Sequence, residues 1–173
     1  MIQTYDNFLD KNTFEQLKQE LKKCNGKYKW GHSSLGDSNI SNIHPWFALH
    51  LNESFFFTNT MLEIIKDRTQ KNLGLYNVYM NISNYGCTQK FHTDSEKKND
   101  MTLVLFPHDC FIENADEMEG YFYYKNDSEI KCIEPLQNRA ILFDSNIIHK
   151  GSNFSRHINI LRESIAWKLY LKN

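Results

Sequence analysis

Apolar and polar positions change their period near residue 73, and the two regimes predict two kinds of structure. Before that point the spacing is helical. A short strand over 2–5 runs into Phe8-Leu9. Phe14, Leu17 and Leu21 then recur at i, i+3 and i+7, one stripe on a helix of about three turns. Asn12-Thr13-Phe14-Glu15 reads as a variant of the capping box at its start. Asn25-Gly26, a pair tolerant of the left-handed conformation, reads as its stop. Residues 31–46 are rich in Ser, Asn and Gly and read as loop. A second helix is expected over 54–71, with Phe55, Met61, Leu62 and Ile65 on its buried side.

From Leu73 onward strict alternation takes over, which is the signature of a half-buried strand. Leu75, Asn77, Tyr79 and Asn81 fall on one face and Tyr76, Val78, Met80 and Ile82 on the other. Further strands are expected over 89–94, 101–106, 121–124, 130–133 and 140–143, with the last within 158–171. The acidic stretch 107–119 lacks periodicity and reads as loop. About eight strands at hairpin-like spacing after a helical pair predict a mainly β (α+β) chain. The expected architecture is an antiparallel jelly roll with the N-terminal helices packed on one sheet.

A length of 173 residues suits a single domain over 1–173, helical in 1–72 and a β core in 73–169. No repeat and no Pro- or Gly-rich linker divides it. A net charge of -1 argues against the basic footprint that duplex nucleic acid requires. The four cysteines, Cys24, Cys87, Cys110 and Cys132, form no C-x-x-C pair, so free thiols are expected rather than a zinc knot. The first residues carry neither a basic nor an apolar signal region, and no apolar run approaches bilayer length. A soluble, cytoplasmic protein without membrane contact is the expectation.

Chemistry enters at Phe91-His92-Thr93-Asp94. In an extended chain residues i and i+2 share a face, so His92 and Asp94 stand side by side. His-x-Asp alone is close to a chance pattern. It gains weight from Asp144-Ser145-Asn146-Ile147-Ile148-His149, which ends a strand with a second imidazole. Two His and one carboxylate with open positions opposite form the facial triad of non-haem Fe(II) oxygenases. Thirteen residues on, Arg162, Ser164 and Ala166 alternate onto the inner face of the last strand, with Leu161, Ile165 and Trp167 turned to the helices. A buried guanidinium needs a counter-charge, and a bound dicarboxylic acid would supply one, with the Ser164 hydroxyl as a further donor.

These residues carry a resemblance. Val78-Tyr79-Met80-Asn81, Tyr85-Gly86 and His92-Thr93-Asp94 resemble the core entry of 2-oxoglutarate- and Fe(II)-dependent oxygenases of the prolyl 4-hydroxylase-like superfamily. Glu119-Gly120-Tyr121-Phe122-Tyr123-Tyr124 is similar to that family's Gly-Gly-x-Thr-x-Phe strand. The block from Pro135 through Asn138-Arg139 to His149 resembles its Pro-x-x-Gly-Arg motif and second histidine, and Arg162-Glu163-Ser164 its closing Arg-x-Ser. The resemblance implies a double-stranded β-helix with Fe(II) on His92, Asp94 and His149. It implies 2-oxoglutarate anchored by Arg162 and Ser164, with Tyr79, Asn81 and Tyr85 as further cosubstrate contacts and O2 as the oxidant. Hydroxylation of a C–H bond in a peptide or small molecule would follow, most naturally of a prolyl or other amino-acid residue, with release of succinate and CO2. Asp94 argues against a halogenase, whose metal lacks the carboxylate. Three departures stand out. Phe106 occupies the place of a cosubstrate-binding tyrosine, Glu119 that of a glycine, and Asn138 that of a turn glycine. Arg156 is a minor rival of Arg162 as anchor. The alternative is a non-catalytic, cupin-like metal-binding jelly roll; substrate identity and oligomeric state are left open.

Overall fold

The computed structural model describes residues 1–24, 29–32, 44–87 and 89–172. The first strand, β1 (Ile2–Tyr5), leads into α1 (Lys11–Lys23), and its start lies two residues earlier than the capping-box reading placed it. Asp10 is the N-cap, and its carboxylate accepts from the backbone N–H groups of Asn12 and Thr13, satisfying two otherwise orphaned donors. Phe14, Leu17 and Leu21 form the buried stripe as expected. The predicted stop at Asn25-Gly26 lies outside the described residues.

Part of the segment read as loop is sheet instead. β2 (Lys29–His32) and β3 (His44–His50) pair antiparallel and extend the main sheet, while 33–43 lies outside the described residues. The second helix also differs. It opens with a π-helical turn, Phe56–Thr60, in which the Met61 N–H reaches back five residues to the Phe56 carbonyl, before α2 (Met61–Thr69). The extra residue rotates the buried face, so Phe56 and Phe57 go inside and Phe55, expected there, stands 73% exposed.

β4 (Leu73–Ser83), β5 (Asp100–Leu105), β6 (Phe122–Asn126), β7 (Glu129–Ile133), β8 (Ala140–Asp144), β9 (His149–Gly151) and β10 (Arg162–Leu171) complete the chain. A turn of 3-10 helix (Ile112–Asn114) and the short α3 (Ala115–Met118) replace the expected loop after β5. Seven strands form one antiparallel sheet in the order β1-β8-β5-β10-β4-β3-β2, and three form a second, β7-β6-β9. The chain is thus mostly β, with the two-sheet antiparallel build of a jelly roll.

Alternation in β4 holds from Asn77 to Ile82 but slips before it. Lys168 pairs with Asn77 and Leu169 with Leu75, so Tyr76 is a bulge residue. The bulge moves Leu75 to the helix side and leaves Tyr76 56% exposed, against the expectation that it shares a face with Val78. Val78, Met80, Ile82, Ile165 and Trp167 join Phe14, Leu17, Leu21, Met61 and Ile65 in one buried cluster. The Trp167 indole N–H donates to the Phe57 carbonyl, so even the largest core ring has its polar atom satisfied. Leu161, expected in this cluster, precedes β10 and is 50% exposed. A second, smaller cluster of Phe106, Phe122, Ile141 and Phe143 joins the inner face of the main sheet to the small one. The candidate residues lie along this seam. All four cysteines are free thiols. No helix among the described residues is long and apolar enough to cross a membrane.

Candidate metal and anion site

The 89–94 segment is extended but is not a regular strand; it holds the site through single backbone pairings. His92 and His149 exchange both backbone hydrogen bonds, at 3.0 and 2.9 Å, and the Asp94 N–H donates to the Ser145 carbonyl at 2.8 Å. This clamps the two halves of the candidate triad together although 56 residues of chain lie between His92 and His149. His92 and Asp94 come out side by side, as alternation requires, and Thr93 turns away to donate to Glu96.

One donor atom from each of His92, Asp94 and His149 lies within 4.8 Å of the others. His92 Nε2 is 3.7 Å from Asp94 Oδ1, and His149 Nε2 is 3.7 Å from Asp94 Oδ2. The opposite edge of each ring is tied down. His92 Nδ1 lies 2.9 Å from the Lys90 carbonyl and His149 Nδ1 2.9 Å from that of Ile147. A carbonyl can only accept, so both Nδ1 atoms carry a proton, and each ring turns its Nε2 toward the carboxylate. His149 is buried between Phe122, stacked at 5.3 Å, and Phe143, edge-on at 4.7 Å. Burial pulls its pKa down to about 4, with Asp94 opposing, so the ring is neutral at pH 7. Burial works against ionisation of Asp94, but the Lys168 ammonium, His149 and a hydrogen bond from Thr102 outweigh it and hold the carboxyl at about 2. Two imidazole Nε2 atoms and an ionised carboxylate converging on one point make a cradle that a cation would fill. The N2O donor set suits Fe(II) as well as Zn(II).

Thr102 and Lys168 were not singled out from sequence, yet both touch the triad. Thr102 Oγ1 donates to Asp94 Oδ2 at 2.7 Å and Lys168 Nζ lies 2.5 Å from the same oxygen. A signal for Lys168 existed: extending the Arg162, Ser164, Ala166 alternation by one step reaches it, and it pairs across the sheet with Thr102.

Arg162 is 3% exposed, whereas Arg156 is exposed and beside His157, so the structure buries the first and not its rival. The Arg162 Nε–H donates to the Gly120 carbonyl at 2.8 Å, its Nη1 lies 3.5 Å from Ser164 Oγ, and its guanidinium covers the Phe106 ring at 5.4 Å. Among the described residues no carboxylate pairs with it, and burial alone lowers its pKa to about 10. A β-carbon placed on Gly151 would lie 3.2 Å from Arg162 Nη2. Gly151 is two residues beyond His149 in β9, on the same face and about 7 Å along it. The uncompensated cation therefore sits one pleat from the candidate triad's imidazole.

The remaining candidates divide. Tyr79 is buried, faces Ala166 across the strand pair, and has the Lys168 ammonium 5.7 Å from its ring centre. Asn81 is half-buried opposite Ser164. Tyr85, the other candidate phenol, is 66% exposed. Phe106 is fully buried with no hydroxyl to offer. Asn138 takes the left-handed φ of 58° that its turn demands, as its tolerance of that conformation predicts.

No protein-family model matches the sequence, and no curated protein matches it. Solved structures do match. A prolyl hydroxylase from Trichoplax adhaerens, in complex with a hypoxia-inducible factor oxygen degradation domain peptide, superimposes with a TM-score of 0.73 at 14% identity over 98% of this chain and 83% of its own. A Pseudomonas putida prolyl-4-hydroxylase gives 0.67 at 12% over 99% and 93%. The epimerase SnoN, in complex with Fe3+, alpha-ketoglutarate and nogalamycin RO, gives 0.66 at 8% over 98% and 78%. The chain therefore has the fold of the prolyl hydroxylases and related 2-oxoglutarate/Fe(II) oxygenases, along essentially its whole length.

Proposed function

We propose that the protein is a 2-oxoglutarate- and Fe(II)-dependent dioxygenase that hydroxylates a C–H bond. His92, Asp94 and His149 would hold the iron, and Arg162 with Ser164 the far carboxylate of 2-oxoglutarate. The observation that carries this reading is a pairing of two sites: three candidate ligand atoms within 4.8 Å, and one pleat away a buried guanidinium lacking a carboxylate. A simple metal-binding jelly roll needs the first and has no use for the second, because a lone buried cation is costly. Bound there with 2-oxoglutarate and O2, iron would supply the oxidising chemistry, with succinate and CO2 as coproducts.

The chain's own residues do the rest. Backbone carbonyls of Lys90 and Ile147 fix both imidazoles in the ligating tautomer. Thr102 and Lys168 hold one oxygen of Asp94, which leaves the other free to turn to the metal. Phe122 and Phe143 wall off His149 from water. Tyr79 and Asn81 line the interior between the two sites and are proposed to bound the cosubstrate. A peptide or small molecule bearing an amino-acid residue, prolyl above all, is the proposed substrate class, and the peptide held by the Trichoplax structure supports it.

Adding Fe(II) and then 2-oxoglutarate without oxygen should give a visible metal-to-ligand charge-transfer band, absent with zinc and absent in Asp94→Ala. Admitting air with a panel of prolyl peptides and free amino acids should then stimulate succinate release. Metal binding without the band would favour the metal-storage alternative.

A further inference from the structure

Beside Arg162 lies a second buried group without a partner. His108 is 6% exposed, and neither of its ring nitrogens, Nδ1 or Nε2, has a hydrogen-bond partner among the described residues. Native interiors seldom leave such atoms unpaired, since each forfeits its hydration without replacement. The chain holds the ring there firmly. Just past the end of β5, Phe106 exchanges backbone hydrogen bonds with Arg139 and Asn138, and the His108 carbonyl accepts from Cys110. The imidazole then packs 4.8 Å edge-on to Phe154 and 5.8 Å from Phe106, the ring that the Arg162 guanidinium covers from 5.4 Å. Burial, reinforced by the charge of Arg162 and opposed only by the ring's approach to its own backbone, lowers the His108 pKa to about 3, so the ring is neutral at pH 7 and offers one N–H.

The cluster thus holds a cation lacking an anion and a neutral donor lacking an acceptor, side by side. We infer that His108 is the second donor of the Arg162 pocket, hydrogen-bonding the far carboxylate of a 2-oxo dicarboxylic acid. A carboxylate offers lone pairs enough for both groups at once, and it relieves both deficits in one step. Phe106 cannot serve, having no polar atom. His108, two residues further along the chain, lies near enough to the same guanidinium to feel its charge. It is a specificity-determining residue: it distinguishes acids with a far carboxylate from those without. The inference rests on the proposed oxygenase function, since it assigns a second contact within that cosubstrate pocket.

The test measures binding, without oxygen, to the full chain loaded with Mn(II). 2-Oxoglutarate is compared with 2-oxopentanoate, which has the same chain length and chelating end but a methyl in place of the far carboxylate. His108→Phe, which keeps the apolar packing, should bind 2-oxoglutarate about ten- to a hundredfold more weakly, as expected for losing a hydrogen bond to a charged group. It should bind 2-oxopentanoate and Mn(II) as the parent does, and His108→Asn, which restores an N–H, should recover most of the loss. In the parent loaded with diamagnetic Zn(II) in place of Mn(II), 2-oxoglutarate and not 2-oxopentanoate should shift the imidazole 15N resonances of His108. Unchanged 2-oxoglutarate affinity in His108→Phe, or equal weakening for both acids, would overturn the inference and leave the functional reading intact. A parent that binds Mn(II) but neither acid would overturn both.

Discussion

Lys168 Nζ stands 2.5 Å from Asp94 Oδ2, an ammonium on the one carboxylate through which the triad would draw in its metal. Burial disfavours the lysine's charge, but Tyr79 and Asp94 outweigh it and raise its pKa, so the cation is fixed at neutral pH. The pair has opposite effects on metal binding. With Thr102, Lys168 orients the carboxylate, yet its charge repels a dication a few ångströms away. The electrostatic effect should win, because Thr102 remains at 2.7 Å to hold Asp94 in place. Lys168→Met, matched in length, should bind Mn(II) about tenfold more tightly or better, the Coulomb effect expected for such charges in a partly screened site. Titration calorimetry would decide it; equal or weaker binding would show that orientation dominates.

Gly151 leaves little space for a side chain, since a β-carbon there would lie 3.1 Å from Gln89 Oε1 and 3.2 Å from Arg162 Nη2. Those atoms can yield by a few tenths of an ångström, so Gly151→Ala should fold. The displaced guanidinium should nonetheless weaken 2-oxoglutarate binding about tenfold, as misplaced anchors do. Affinity for the metal should stay unchanged. If both affinities moved together, the guanidinium and the triad would not be the separable sites described above.

The parts of the site legible in sequence are those set by a two-residue repeat. His92 with Asp94, and Arg162 with Ser164, follow from alternation alone, and Ile165 and Trp167 fall on the helix side as that alternation requires. What breaks the repeat was hidden. The bulge at Tyr76 and the π turn at Phe56–Thr60 each add one residue, and a one-residue slip exchanges faces without changing composition. His108 escaped for a different reason. It lies beyond the end of β5, among residues with no period, and its importance comes from partners it lacks in space rather than from its neighbours in the chain.

Glu119 occupies a position meant for glycine. Its φ of 61° and ψ of -136° fall where an L side chain clashes with its own backbone. It is held there by its N–H to the Ala115 carbonyl and a bridge to Phe154, and the next carbonyl, that of Gly120, is the one that receives Arg162 Nε–H. The strain thus sits next to the hydrogen bond that aims the anchor. Glu119→Gly should relieve it and stabilise the fold by about 1 kcal/mol, the strain released less the entropy a glycine gains on unfolding. A higher urea midpoint with unaltered 2-oxoglutarate affinity is the expected result.

Acid should unfold the protein partly through His108. The ring is neutral in the fold down to about pH 3, but in the unfolded chain it takes up a proton below its ordinary pKa of 6.5. A group whose folded pKa is depressed in this way costs nothing above 6.5. Below that, the unfolded state binds the extra proton, and stability drains away as pH falls through the window from 6.5 toward 3. At pH 4.5 the two units below 6.5 correspond to about 2–3 kcal/mol. His108→Phe removes this proton uptake while keeping an apolar ring against Phe106 and Phe154. Urea unfolding at pH 7 and pH 4.5 should therefore show a smaller acid loss in the variant than in the parent, by about that amount. Equal losses would mean that His108 is protonated in the folded state, and that its nitrogens have partners at low pH. Adding 2-oxoglutarate separates the two roles of the ring: a carboxylate held by His108 and Arg162 binds only the folded state, so it should raise the parent's stability more than the variant's.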